Sequence, residues 1–192
     1  MIGRFDAVEQ LVSIAAELGL PRDRLLAAGL QVVPYGGFPR AIETLGILSA
    51  GLPEAPAEGG PTAQSPRSSD EIQAKGRETF QLIYGDKTEV VLGQLEALHP
   101  ELAQHVLEAA YGMILASPGL PLGEREILAV AALALAALPA PLGSHIRGAL
   151  RNGFTPAAVE DILHASSSLA DDRALPVIHQ ALDRLSRKVY RP

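Results

Sequence analysis

No cysteine occurs anywhere in the sequence. Thiol nucleophiles, disulfide frameworks and cysteine-ligated zinc are therefore excluded. Aromatic residues are scarce, at 4% against 47% hydrophobic, so the core must be built from Ala, Leu, Val and Ile. Ala and Leu favour helices, whereas a β-sandwich would want more Thr, Tyr, Phe and Val. Basic charge is also short. Lys and Arg number 16 against 22 Asp and Glu, for a net charge of −6. The basic face of a nucleic-acid binder is missing, and no nucleic-acid partner is expected. The densest basic stretch, Arg184, Arg187, Lys188 and Arg191, reads as cations near the end of a last helix, where the dipole favours them. The longest apolar run, Ile127 to Leu138, falls short of the roughly 20 residues a bilayer span takes, and suits a buried core helix. Met1-Ile-Gly-Arg-Phe-Asp lacks a signal-peptide layout, so the expectation is a cytoplasmic protein with no membrane partner. A phosphate-binding Gly-rich loop, a Gly-x-Ser-x-Gly turn and a His-x-x-x-His pair are all missing. Neither a cofactor nor a metal is expected.

What is present divides into three regions. Residues 1–50 read as a helical segment. Val8, Leu11, Val12 and Ala15 follow helical spacing, and Leu18-Gly19 looks like a helix end. A second helix is expected over Arg22 to Val33, stopped by Pro34. Tyr35-Gly36-Gly37-Phe38-Pro39 reads as a turn, with a third helix beyond it. Residues 51–70 carry prolines at 53, 56, 61 and 66, which forbid a regular helix and mark a linker. Residues 71–192 form the main unit. Asp70 is placed to cap a helix running to about Ile83. Further helices are expected up to Leu98, from His99-Pro100 to Ser117, over Leu122 to Leu138, over Ala140 to Asn152, from Thr155-Pro156 onward, and to about Lys188. A shift of 134 residues lays Gly19 on Gly153, Ala15 on Ala149, Leu25 on Val159 and Leu48 on Leu182, a weak internal repeat.

The stretch from Tyr111 to Ala165 is the most informative. Glu124-Arg125-Glu126 opens an Ala-rich helix, and His145 is followed by Ala149 and Asn152-Gly153-Phe154-Thr155. Over about residues 76–165 this resembles the carboxymuconolactone decarboxylase family, which includes the alkyl hydroperoxidase D-like proteins. The resemblance implies an all-α helical bundle of the alkyl hydroperoxidase D-like type, assembled as a homo-oligomer. Tyr35, Gly37 and Pro39 look like the Tyr-x-Gly-x-Pro turn that follows the His-bearing hairpin in this family. The 134-residue shift places Leu169, Asp171 and Arg173 at the equivalent positions of the second copy, and Leu11 at that of His145. The turn thus occurs in the copy without the histidine. This complementarity suggests one and a half family units, with Tyr35 to Pro39 packing near His145 of the same or another subunit. The plainer alternative is that the N-terminal segment covers apolar surface.

In the hydroperoxidase-like branch a Cys-x-x-Cys precedes the histidine; here those positions are Leu138 and Pro141. In the decarboxylase branch no thiol is needed. A cation must hold a substrate carboxylate, and an acid must protonate the carbanion or enolate left by carbon dioxide. His145 is the candidate general acid/base. Arg125 is the candidate carboxylate anchor. Glu126 is the residue to orient His145, with Glu124 as fallback, and Tyr111 and Tyr35 are candidate substrate-binding residues. Pro141 and Tyr111 depart from the acid and the Trp common in family decarboxylases. Three functions fit: a lyase or isomerase on a small carboxylated or lactone substrate, a non-catalytic binder of small molecules, or a purely structural oligomer. All three share one expected outcome. Peroxide consumption measured with a dithiol donor should not exceed the protein-free rate.

Overall fold

The computed structural model describes residues 5–53 and 68–190. Residues 54–67, most of the expected linker, lie outside the described residues. Every regular element among the described residues is helical, and none is long and apolar enough to cross a membrane. In chain order these are α1 (Phe5–Glu17), α2 (Arg22–Leu30), α3 (Val33–Gly51), α4 (Ser69–Tyr84), a 3-10 turn (Gly85–Lys87) and α5 (Thr88–Leu98). Then come α6 (Leu102–His105), which runs into a π-helical stretch (Val106–Leu115), α7 (Leu122–Leu135), α8 (Pro139–Arg151), α9 (Pro156–Ser167) and α10 (Ala174–Ser186).

Local chemistry accounts for most boundaries and corrects three expectations. Ser68, not Asp70, caps α4. Its hydroxyl accepts from Glu71 N–H, and the Glu71 carboxylate accepts from Ser68 N–H at 2.7 Å, a reciprocal capping box. Asp70 instead lies in the first turn, where the helix dipole favours an acid. Pro34 begins α3 rather than merely ending α2, because a missing N–H is harmless in a first turn. The expected turn then reduces to a kink inside α3 at Gly37, whose φ of 78° suits glycine. The helix α7 stops at Leu135, short of Leu138. The residue before a proline disfavours helical geometry, and Leu138 (φ −112°, ψ 82°) precedes Pro139. Thr155 caps α9 as expected, its hydroxyl accepting from Ala158 N–H at 3.2 Å.

The main core gathers where α7, α8, α9 and α10 meet, with Val130, Ala134, Leu142, Ile146, Val159 and Leu163 buried in it. A second cluster under α4 and the π-helical stretch holds Phe80, Ile83, Leu107 and Tyr111. The internal repeat reappears in the helix bounds. Shifted by the same 134 residues, Phe5–Glu17 falls on Pro139–Arg151 and the start of α2 falls on the start of α9. The first helix therefore repeats the bounds of α8 and the second the start of α9, and the N-terminal helices face the other side of α7.

Two glycines let α4 and the π-helical stretch touch backbone to backbone. A Cβ at Gly76 would stand 2.1 Å from the Leu107 carbonyl oxygen, and one at Gly112 would stand 2.3 Å from that of Ile72. Gly76→Ala should therefore lower stability by about 1–3 kcal/mol or more, because backbone cannot move aside cheaply. Gly93, in α5, has open space around its Cα. Gly93→Ala should stabilise by about 0.5–1 kcal/mol through the unfolded chain. Urea unfolding midpoints of the two variants should shift in opposite directions.

Candidate acid–base site

Glu126 lies in the second turn of α7 and His145 in the second turn of α8. Close helix packing brings them together. His145 Nδ1 is 3.0 Å from Glu126 Oε2, and both side chains are buried. The approach depends on Gly148, three residues past the histidine. A Cβ there would fall 2.1 Å from Glu126 Oε2 and 3.0 Å from the Ile83 side chain. A carboxylate so far from water needs a partner, and Nδ1–H supplies it. In the neutral ring that assignment makes Nε2 the unprotonated nitrogen. Glu126 Oε1 is buried with no protein hydrogen-bond partner among the described residues.

Two tyrosine rings meet the imidazole in T-shaped geometry. Tyr35 of α3 and Tyr84 of α4 each have their ring centroid 6.4 Å from that of His145. The N-terminal segment thus reaches the His145 site within one chain. Tyr111 stands one layer behind. Its hydroxyl donates to the Tyr84 hydroxyl at 3.1 Å, and Phe80 stacks on the Tyr84 ring at 4.2 Å. Having accepted from Tyr111, Tyr84 keeps its own O–H to donate. Burial raises the pKa of all three phenols. At Tyr35 the Glu126 charge adds to this and a hydrogen bond with Gln31 opposes it. At Tyr84 the bond with Tyr111 opposes it.

Arg125 is placed differently from its neighbour. It is fully buried, and its Nη2 donates to the Ser117 carbonyl (2.9 Å), the Ser117 hydroxyl (2.9 Å) and the Pro118 carbonyl (3.0 Å). Its Nη1 donates to Gln31 Oε1 at 3.2 Å, while Gln31 Nε2 donates to the Arg125 carbonyl at 2.7 Å. Its Nε has no protein hydrogen-bond partner among the described residues. The guanidinium fork expected to grip a substrate carboxylate is occupied by the protein itself, and clamps α2 to α7 and the 117–118 turn. Glu124, the fallback, sits at the surface in an ion pair with Arg24. Among the described residues no group of three or more His, Asp or Glu could hold a metal ion.

Gln31 and Tyr84 carry weight here that sequence reasoning missed. Gln31 interrupts the apolar run Leu30-Gln31-Val32-Val33 and stands one helical turn before Tyr35. Tyr84 lies one turn beyond Phe80, on the same helix face. Both signals were in the sequence, but weak.

A cysteine-free helical bundle of the alkyl hydroperoxidase D-like fold, with a Glu–His pair buried between two of its helices, is the class these observations define. Residues 100–183 match the carboxymuconolactone decarboxylase family. The chain carries that family's region there, in a form without the Cys-x-x-Cys pair. The chain is also 29% identical over 134 residues to "Peroxisomal protein 2" of Schizosaccharomyces pombe. That match covers 69% of this chain and 62% of the relative, less than two thirds of its length. The family region contains Tyr111, Glu126 and His145, but neither Tyr35 nor Tyr84.

The raised phenol pKa values have a consequence for stability. In the unfolded chain these tyrosines ionise near their ordinary value of about 10; in the folded chain they hold their protons higher. Above that pH the unfolded state has lost protons the folded state keeps, so stability is complete below it and falls as pH rises beyond it. Phenolate absorbance from Tyr35, Tyr84 and Tyr111 should appear together with loss of helical circular dichroism, not ahead of it.

Proposed function

We propose that this protein is a cofactor-independent lyase or isomerase that moves a proton on a small carboxylated or lactone substrate, with His145 as general acid/base. The observation that carries this reading is the buried 3.0 Å contact between His145 Nδ1 and Glu126 Oε2. A carboxylate on one imidazole nitrogen sets the tautomer and stabilises the imidazolium formed when the other nitrogen takes a proton. For an isomerase, Nε2 removes a proton beside a carbonyl and returns it at another carbon. For a decarboxylase, Nε2 first takes a proton from water to give the imidazolium; the bond to the carboxylate carbon then breaks with release of carbon dioxide, its electron pair becomes an enolate, and Nε2–H protonates that enolate. In either case negative charge develops on an oxygen. Tyr84 O–H and Tyr35 O–H are neutral donors close enough to the imidazole to meet it. Glu126 Oε1 remains as an acceptor for a substrate hydroxyl.

A non-catalytic small-molecule binder or structural oligomer is the second reading. It is favoured by Arg125, the expected carboxylate anchor, whose guanidinium is already taken by Ser117, Pro118 and Gln31. Exposed Leu82, Val90, Leu98 and Met113 support the proposal of a homo-oligomer in either case. We propose the cytoplasm as the compartment. The Schizosaccharomyces pombe relative is named for the peroxisome, and microscopy of a tagged chain distinguishes the two.

Turnover decides between the readings. Lactones and keto acids of aromatic catabolism should be assayed with the parent chain, His145→Ala and Glu126→Gln. Loss of the general acid/base should lower kcat by about 10²–10⁴-fold. Glu126→Gln should lower kcat less and alter the pH profile, because a neutral amide no longer stabilises the imidazolium. Turnover unchanged in His145→Ala would remove this mechanism; binding without turnover in the parent would favour the second reading.

A further inference from the structure

A cavity of about 250 Å³ lies between the first three helices and α7. It occupies the pseudo-equivalent of the His145 site. Under the 134-residue correspondence, Val8, Leu11, Val12 and Ala15 of α1 stand for Leu142, His145, Ile146 and Ala149 of α8. In the second copy those α8 residues are all buried, packed directly on α7. In the first copy the α1 residues line an open space instead. Across it stand Leu128, Ala132 and Leu135, one face of α7, while Ala129, Val130 and Leu133 point the other way into the main core. Where the second copy has its imidazole, the first has Leu11, half exposed at 53%. Leu, Val and Ala make up most of the wall, with Gln31 and Tyr35 among the rest.

One charge interrupts the apolar lining. Arg40 is the single charged side chain among the described residues around the cavity. It is exposed, and its Nη1 reaches the Gly36 carbonyl at 3.2 Å. Its counterpart in the second copy is Ala174, which is fully buried, so the cation belongs to the first copy only. Thr44, one turn further along α3, also lines the space. A mainly apolar chamber with one cation, and with Thr44, Tyr35 and Gln31 as its neutral polar side chains, is suited to an aliphatic chain ending in a carboxylate. An apolar cavity of about 150 Å³ takes benzene, so this one has room for about ten carbons.

We propose that the cavity between α1, α2, α3 and α7 binds a medium-chain aliphatic monocarboxylate, its tail against Leu11 and Leu128 and its carboxylate on Arg40. The cavity shares Tyr35 with the His145 site, but His145 is not among its lining residues and it needs no turnover there. Isothermal titration calorimetry of the full chain with sodium decanoate should show saturable one-to-one binding. Decan-1-ol should bind at least tenfold more weakly, because it lacks the charge-assisted contact. Arg40→Gln changes an exposed residue and should fold; it should weaken decanoate tenfold or more and leave the alcohol unaffected. Ala132→Phe fills the chamber and should remove both ligands; if circular dichroism shows that variant unfolded, Arg40→Gln carries the test. His145→Ala should leave decanoate binding unchanged, which separates this site from the acid–base reading. No saturable decanoate binding, or equal binding by Arg40→Gln and the parent, would overturn the proposal. So would a dimer in sedimentation that Leu11→Ser dissociates and decanoate does not, since a second copy would then be the occupant.

Discussion

A carboxylate held out of water between two helices is the constraint around which this molecule is arranged. An isolated ionised carboxylate in an apolar interior costs many kcal/mol, and even a paired one carries a penalty of several. Glu126 is fully buried, and among the described residues its side chain's one hydrogen-bond partner is His145. The pair forms only because Gly148 allows α8 to come within contact of the Glu126 oxygen. The low dielectric that makes the carboxylate costly also makes its hold on the imidazole strong. Stability of the α7–α8 packing and orientation of the candidate acid/base are therefore one interaction seen from two sides.

The helix α7 serves two halves of the chain. Adjacent residues on a helix point about 100° apart. Arg125 and Glu126, neighbours in sequence, accordingly take up separate partners. Arg125 turns toward Ser117, Pro118 and Gln31 and fastens the N-terminal helices. Glu126 turns toward His145. Because the Gln31 clamp lies one turn before Tyr35, fastening the N-terminal helices also sets the Tyr35 ring against the imidazole. The site is built from three separated stretches, and the family region supplies only part of it.

The cavity and the acid–base pair show how one repeated frame can hold two environments. The bounds of α1 and α8 repeat at a fixed offset, yet the contents differ. In the second copy a histidine, a glycine and a carboxylate close the interface. In the first copy aliphatic residues stand off from α7, and the open volume is lined mostly by Leu, Val and Ala, with Arg40, Thr44, Gln31 and Tyr35 as its polar side chains. Backbone repetition is set by helix lengths and turn residues, whereas the character of each interface is set by a few side chains.

Much of this was legible from residue order, because the controlling physics is local. Helix propensity, the Thr155-Pro156 start and the proline stops define helices within a few residues. The missing cysteines rule out a thiol reaction wherever the chain goes. His145 and Tyr35 were recognisable by their motifs. Less local matters were not legible. Nothing in the order of residues says that the Ser117 and Pro118 carbonyls turn back onto Arg125, or that Tyr84 rather than Tyr111 meets the imidazole. A charged side chain satisfied from within and one left for a ligand look alike in a sequence. Only the packing of distant segments settles which partners reach a buried group first.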